Sequence, residues 1–144
     1  MMKYEEIAEQ INLTLENIWI LFGKQEREMT DFQLTNQQHV LLTLIIRNMS
    51  VTPTELAEKL DITKSAVSQM LKKLEEEGFI VRKQHPKDKR AVILELGKKG
   101  LIYRAEVRLF NKKMVEKYYS KLSPEELLQM LYSFQKYEEL MGQN

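Results

Sequence analysis

The chain has 144 residues, a length typical of one domain, and a formal net charge of +1. Its composition, 43% hydrophobic and 30% charged residues, is that of a folded protein rather than a disordered one. It has no cysteine, which excludes disulfides, thiolate metal sites and cysteine redox sensing. Its longest apolar stretch, Val40 to Ile46, is interrupted by Thr43 and is far shorter than the ~18 residues of a membrane span. No secretory signal is evident, so we expect a cytoplasmic protein.

Charge is distributed unevenly along the chain. Residues 1–35 carry three Lys or Arg against seven Asp or Glu, a balance of −4, whereas residues 59–90 carry nine against five, a balance of +4. Within residues 82–90 alone there are five basic residues and one acid, Asp88. The positive charge is therefore local, which is the first indication of function.

The first part of the chain predicts two helices. From Tyr4 to about Glu28, apolar residues recur at the i, i+4, i+7 spacing of one helix face. These residues are Ile7, Ile11, Leu15, Ile18 and Phe22. A second helix begins after Thr35, which forms a capping-box arrangement with Gln38, and it should end near Asn48.

The next segment predicts a helix-turn-helix. Thr52 is an N-cap followed by Pro53 at the first helical position, so that a short helix runs to Leu60. Residues 61–63 then form a tight turn before a further helix that continues to about Gly78. The apolar positions of this fourth helix are Val67, Leu71 and Leu74.

After Gly78 the pattern changes from helix to strand. Residues 79–81 are β-prone, and residues 91–96 alternate between two faces, which predicts a hairpin of two short strands. The loop between them, Lys83–Lys89, is basic, so the charge lies at the hairpin tip.

Two more helices complete the chain, one from Lys98 through Tyr118 and one that begins at Pro124. The apolar faces of the long terminal helices exceed what the roughly 50 residues between them can cover. We therefore predict a homodimer, which would also place the two fourth helices ~34 Å apart, one turn of DNA.

The predicted fold is mainly α with a small β-hairpin wing: a winged helix-turn-helix flanked by long N- and C-terminal helices. Within one structural domain, residues 1–34 form the N-terminal dimerisation helix, residues 35–97 the DNA-binding lobe, and residues 98–144 the C-terminal dimerisation helices.

The fourth helix of such a fold is expected to enter the major groove of duplex DNA. The side chains opposite its apolar positions are Lys64, Ser65, Ser68, Gln69 and Lys72. Gln69 is the candidate base contact, because Gln can pair bidentately with adenine, whereas Lys64 and Lys72 hold the phosphate backbone. Thr54, near the start of the preceding helix, is placed to bind another phosphate.

The hairpin tip is expected to fit the minor groove of duplex DNA. There Lys89 and Arg90 would meet the negative potential of a narrow A·T-rich stretch. Asp88 lies two residues before Arg90, on the same side of an extended chain. Its carboxylate is expected to orient the Arg90 guanidinium group by a bidentate pair.

Residues 88–100, DKRAVILELGKKG, resemble the wing signature of the MarR family of bacterial transcription regulators, an Asp-x-Arg followed by alternating leucines, a Thr and a Gly. Gly97 stands where Thr is usual, which weakens the cap of the next helix. Residues 63–82 similarly resemble the family's recognition helix and first wing strand. The resemblance implies a dimeric regulator that binds a pseudo-palindromic operator, and we expect a repressor whose repression is relieved by a small molecule.

The family resemblance also implies an effector crevice between the dimer helices and the DNA-binding lobe. Its candidate lining residues are Trp19, Phe22, His39 and Tyr103. With two histidines and no cysteine, neither a metal site nor a cofactor is expected. No catalytic motif is present, so we do not expect an enzyme. The alternative is a winged-helix protein-protein adaptor without operator binding, which would tolerate Arg90→Ala.

Overall fold

The structure is a computed structural model that describes residues 3–48 and 50–143. Helices account for most of these residues, and the two strands form one hairpin, which confirms the predicted fold class. In chain order the elements are α1 (Tyr4–Met29), α2 (Asn36–Arg47), α3 (Pro53–Leu60), α4 (Lys64–Glu76), β1 (Ile80–Gln84), β2 (Val92–Leu96), α5 (Lys98–Lys117) and α6 (Pro124–Gly142), with a 3-10 turn at Tyr119–Lys121 before α6.

Four helices begin directly after a Thr or Ser whose side chain caps the first turn. The Thr35 hydroxyl accepts a hydrogen bond from the Gln38 backbone N–H at 3.1 Å, and the Gln38 side chain accepts one from the Thr35 N–H at 3.0 Å. The hydroxyls of Thr52, Thr63 and Ser123 accept in the same way from the N–H three residues on, at 3.0 to 3.1 Å. These local bonds fix the first turns of α2, α3, α4 and α6.

The chain divides into two compact units, one ending at Val107 and the other beginning at Arg108. The core of the first unit is formed by apolar residues of α2, α3, α4, the hairpin and the first turns of α5. Its fully buried members include Leu41, Ile45, Leu56, Val67, Leu71, Leu74, Leu94 and Tyr103. The second unit contains the end of α5, the 3-10 turn and α6, and none of the described residues of α6 is buried.

The hairpin is longer than the sequence predicted. β1 pairs antiparallel with β2 from Ile80 opposite Leu96 to Gln84 opposite Val92. Lys83 and Gln84 therefore belong to β1, and their placement in the loop was wrong. The reason is that the backbone ladder continues through both residues, which the change in hydrophobic pattern did not reveal.

Glycines allow a close backbone approach where β2 joins α5. A Cβ added to Gly97 would lie 2.5 Å from the carbonyl oxygen of Gly78, and one added to Gly100 would lie 2.1 Å from that of Phe79. The Gly97 N–H donates to the Phe79 carbonyl at 2.9 Å. Thr is usual at position 97 in the family signature. Glycine there allows the backbone to approach the Gly78 carbonyl closely, although it also removes a capping side chain from the start of α5.

Candidate nucleic-acid interface

Helix α4 separates a buried face from a polar face. Val67, Leu71 and Leu74 are completely buried. The five side chains predicted to face DNA are all exposed on the remaining surface of the helix: Lys64, Ser65, Ser68, Gln69 and Lys72. The predicted division of the helix is confirmed, while the individual DNA contacts stay predictions.

Helix α3 packs beside α4 across the turn at residues 61–63. Asp61 ends α3 in the left-handed conformation, with φ 52°, and the Ile62 N–H donates to the Ala57 carbonyl at 3.1 Å. This arrangement is the predicted helix-turn-helix. Thr54 is exposed in the first turn of α3.

Two of the five cations of residues 82–90 are paired with carboxylates. The Arg82 Nε lies 3.6 Å from Glu75 Oε1, and the Arg82 backbone N–H donates to Glu75 Oε2 at 3.2 Å. The Lys83 Nζ lies 2.7 Å from Glu95 Oε2. The first pair joins the last turn of α4 to β1, and the second joins the two strands. These pairs stabilise the base of the wing and cancel part of its charge.

The remaining cations lie at the wing tip, which we define as residues 85–91. Lys87, Lys89 and Arg90 are exposed, and in the described part of the chain no carboxylate oxygen lies within 4.0 Å of their charged nitrogens. Asp88 is the one acid among these seven residues. Three cations against one carboxylate leave the tip with a local balance of +2.

Asp88 does not pair with the Arg90 guanidinium as the sequence predicted. Its Oδ1 accepts a hydrogen bond from the Arg90 backbone N–H at 3.0 Å, and the ion pairs found among residues 3–48 and 50–143 do not include these two side chains. The reason is local: an Asp side chain readily bonds the backbone two residues on, as in an Asx turn. Asp88 therefore orients the Arg90 backbone and leaves the guanidinium free to meet a ligand.

Two of the four candidate effector residues share a pocket. His39 and Tyr103 line a pocket of about 500 Å³ beside the end of α1. The Tyr103 hydroxyl is hydrogen-bonded to His39 Nδ1, and His39 Nε2 lies 3.1 Å from Glu26 Oε1. Burial, and then the charges of Glu26 and Glu106, raise the pKa of Tyr103, so its hydroxyl remains a donor.

The other two candidates lie outside this pocket. Trp19 is 77% exposed on α1. Phe22 is half-buried but does not belong to the pocket lining. The lining residues that sequence reasoning did not select include Glu26, Leu34 and Asn36. Only contacts between distant segments reveal them, because none stands out by its residue type or spacing.

The exposed polar face of α4, the α3–α4 turn and the basic hairpin define a winged helix-turn-helix protein, the class that includes DNA-binding transcription regulators. No described helix is long and apolar enough to span a membrane.

Comparison with known proteins gives the family. The MarR family matches residues 34–92. The HTH-type transcriptional repressor MdtR of Bacillus subtilis is 31% identical over 129 residues, which is 87% of this chain and 81% of that protein. The chain belongs to the MarR family. An HTH-type transcriptional regulator of Bacillus anthracis is 39% identical over 92 residues, and the chain spans 63% of the length of this and the other first curated relatives.

Solved structures share the fold. The crystal structure of Streptococcus pneumoniae FabT in complex with DNA is 26% identical, with a TM-score of 0.81 over 98% of this chain and 99% of that one. A MarR family protein from Bacillus stearothermophilus is 20% identical and has a TM-score of 0.72 over 99% of both chains. The similarity therefore extends along the whole order of elements.

Proposed function

We propose that the chain is a sequence-specific transcription regulator, a repressor, that binds a pseudo-palindromic DNA operator as a homodimer in the cytoplasm. The observation that carries this proposal is the combination, within one compact unit, of the exposed polar face of α4 and the three unpaired cations of the wing tip. The similarity to a repressor and to a protein crystallised with DNA supports it. No observation favours the adaptor alternative.

In this proposal each part of the surface has a distinct task. Gln69 reads a base edge in the major groove, while Lys64 and Lys72 hold phosphates and set the register. Ser65 and Ser68 on the same face, and Thr54 on α3, add hydrogen bonds to phosphates or bases. Lys89 and Arg90 enter the flanking minor groove, where narrow A·T-rich DNA concentrates negative potential.

The homodimer is proposed because the terminal helices leave apolar side chains uncovered. Neither α1 nor α6 has a buried residue among those described. Large apolar side chains that are about half or more exposed include Ile11, Ile18 and Trp19 on α1 and Leu131, Phe134 and Tyr137 on α6. Monomeric proteins rarely expose large apolar patches, so we propose that residues 1–34 and 98–144 bury these side chains against a second copy.

Relief of repression by a small molecule is a further part of the proposal. The pocket beside His39 and Tyr103 is its candidate site, since it combines the apolar side chains of Met29, Phe32 and Leu34 with several charged and amide groups and with a hydroxyl and an imidazole of fixed orientation.

Replacing Gln69 with alanine tests whether this side chain recognises a DNA base. We expect the ratio of affinities for a duplex selected from random DNA and an unrelated duplex to fall about 5-fold or more, since a bidentate base contact discriminates by at least ~1 kcal/mol. Fluorescence anisotropy titrations at one fixed salt concentration measure this ratio. Lys72→Ala is the matched control, because loss of a phosphate contact should weaken both duplexes alike and lower the salt slope by about 1. Equal weakening of both duplexes by Gln69→Ala would show that Gln69 only positions the helix.

A further inference from the structure

The imidazole of His85 closes the turn at the wing tip. Its Nδ1 accepts hydrogen bonds from the backbone N–H groups of both Lys87 and Asp88, each at 3.1 Å. The His85 backbone N–H donates to the Ala91 carbonyl, also at 3.1 Å. His85 is half-buried, although residues 86–90 of the tip are exposed. One ring nitrogen therefore satisfies two backbone donors that would otherwise depend on water.

This geometry is the one that Asp, Asn or Ser normally provides at the start of a turn. Such a side chain accepts from the N–H groups two and three residues on, and a proline often follows, as Pro86 does here. Nδ1 of a histidine occupies nearly the place of Oδ1 of an asparagine. Unlike an amide oxygen, however, Nδ1 accepts only when the ring is neutral and carries its proton on Nε2.

The turn leads directly to the proposed minor-groove residues. The Gln84 side chain donates to the Lys89 carbonyl at 3.1 Å, and Asp88 Oδ1 accepts from the Arg90 N–H. His85 fixes the N–H of the same Asp88. The position of Arg90 thus depends on a short series of bonds that begins at His85.

We infer that His85 is a positioning residue of the DNA-binding wing: its neutral ring holds the turn that presents Arg90, and protonation of Nδ1 releases that turn. The part that concerns DNA rests on the proposed function. A proton on Nδ1 would point a donor at two other donors, so both bonds are lost. Imidazole is the side chain that ordinarily changes charge between pH 5 and 8, which makes this a pH-dependent feature.

The charged groups of the wing do not offer the protonated ring a partner. Lys83 on β1 and Glu95 on β2 are paired with each other at 2.7 Å. In the loop, Lys87, Lys89 and Arg90 would repel a cation, and one oxygen of the Asp88 carboxylate, Oδ1, already accepts a bond from the Arg90 N–H. Among the described residues no carboxylate forms an ion pair with His85. No ion pair of the described residues therefore compensates for the loss of the two bonds.

The free protein provides the first test, by nitrogen-15 NMR of the His85 ring and amide exchange at pH 8 and pH 5.5. At pH 8 we expect the Nε2–H tautomer and protection of the Lys87 and Asp88 amides, with the protection lost at pH 5.5. His85→Asn, which keeps an acceptor in place, should retain the protection at both pH values. An Nδ1–H tautomer at pH 8, or His85→Asn unprotected like His85→Ala, would overturn the inference.

The second test measures how much Arg90 contributes to DNA binding. The affinity ratio of the parent to its Arg90→Ala variant should be at least about 5-fold at pH 8 and should shrink to less than half that value at pH 5.5. When both proteins also carry His85→Asn, the affinity ratio should be the same at pH 8 and at pH 5.5. This comparison cancels the general attraction of DNA for an added positive charge, because both members of each pair carry the same residue at position 85.

The two tests separate the inference from the proposed function. A parent ratio that is at least about 5-fold at pH 8 and keeps more than half of that value at pH 5.5 would overturn the positioning role of His85 while supporting the wing contact. A ratio of one at both pH values would instead contradict the minor-groove role of Arg90, and with it the claim that His85 acts on DNA binding. In that case the NMR measurement still decides whether His85 holds the turn.

Discussion

Replacing Arg90 with alanine should weaken binding to a selected duplex by about 1 to 3 kcal/mol, a loss of 5-fold to 150-fold. The guanidinium is exposed at the wing tip, is not paired with a carboxylate among the described residues, and is carried on a backbone held by Asp88. All of its five donors are thus available to the DNA. Titration by fluorescence anisotropy at fixed salt and pH measures the loss.

A matched variant separates this contact from the mere removal of a charge. Arg47→Ala removes an exposed arginine from the last turn of α2, outside the residues proposed to face DNA. It should change the affinity little, because exposed charges that do not touch the duplex are strongly screened by salt. If Arg90→Ala bound as tightly as Arg47→Ala, the wing would not enter the groove, and the adaptor alternative would gain support.

Replacing Gly100 with alanine should destabilise the fold by about 1 to 3 kcal/mol, the usual cost of forcing extra atoms into a packed site. The added Cβ would lie 2.1 Å from the carbonyl oxygen of Phe79, which is backbone and cannot rotate away. The same oxygen accepts the Gly97 N–H at 2.9 Å, so a shift of that strand end also strains the base of the wing. Thermal unfolding should show a melting temperature lower by roughly 3–12 °C.

Gly23 provides a control of the opposite sign. It lies inside α1, and the nearest atom to an added Cβ is the flexible Arg27 Nη1 at 3.6 Å. Gly23→Ala should therefore stabilise the protein by about 0.4 to 1 kcal/mol through better helix propensity and a less flexible unfolded chain. Both variants are compared at one protein concentration, since a dimer's melting temperature depends on it. A Gly100→Ala variant as stable as Gly23→Ala would contradict the close approach.

The helices and the polar face of α4 could be predicted because their signals are local. Thr35, Thr52, Thr63 and Ser123 each bond the backbone three residues on, so a few neighbouring letters of sequence determine where a helix begins. The spacing of buried residues on α4 likewise determines which side chains remain in solvent.

The charge of the wing could not be predicted from composition alone. Counting residues found five cations within residues 82–90 and placed the charge of the loop at the hairpin tip, but the strand register brings Lys83 to Glu95, and packing brings Arg82 to Glu75. Both pairs depend on where separate elements meet. The cationic surface is consequently smaller than the sequence suggested and is concentrated on the three residues Lys87, Lys89 and Arg90.

The candidate effector site was predicted only in part for a similar reason. His39 and Tyr103 are 64 residues apart and meet because α2 and α5 pack together. Trp19 and Phe22 were assigned by residue type, but the apolar residues around α1 do not define one narrow face, so periodicity could not decide their direction. Gly97 is comparable: its missing side chain matters through Gly78, which lies 19 positions earlier in the chain.

Selection of bound sequences from random duplex DNA tests most directly whether α4 and the wing form one surface for a double helix. We expect enrichment of an inverted repeat whose half-sites are about 10 to 10.5 base pairs apart, centre to centre, with A·T-rich flanks where the wings lie. Recovery of sequences with no shared motif would contradict a base-reading α4, and an enriched motif without two-fold symmetry would contradict the homodimer.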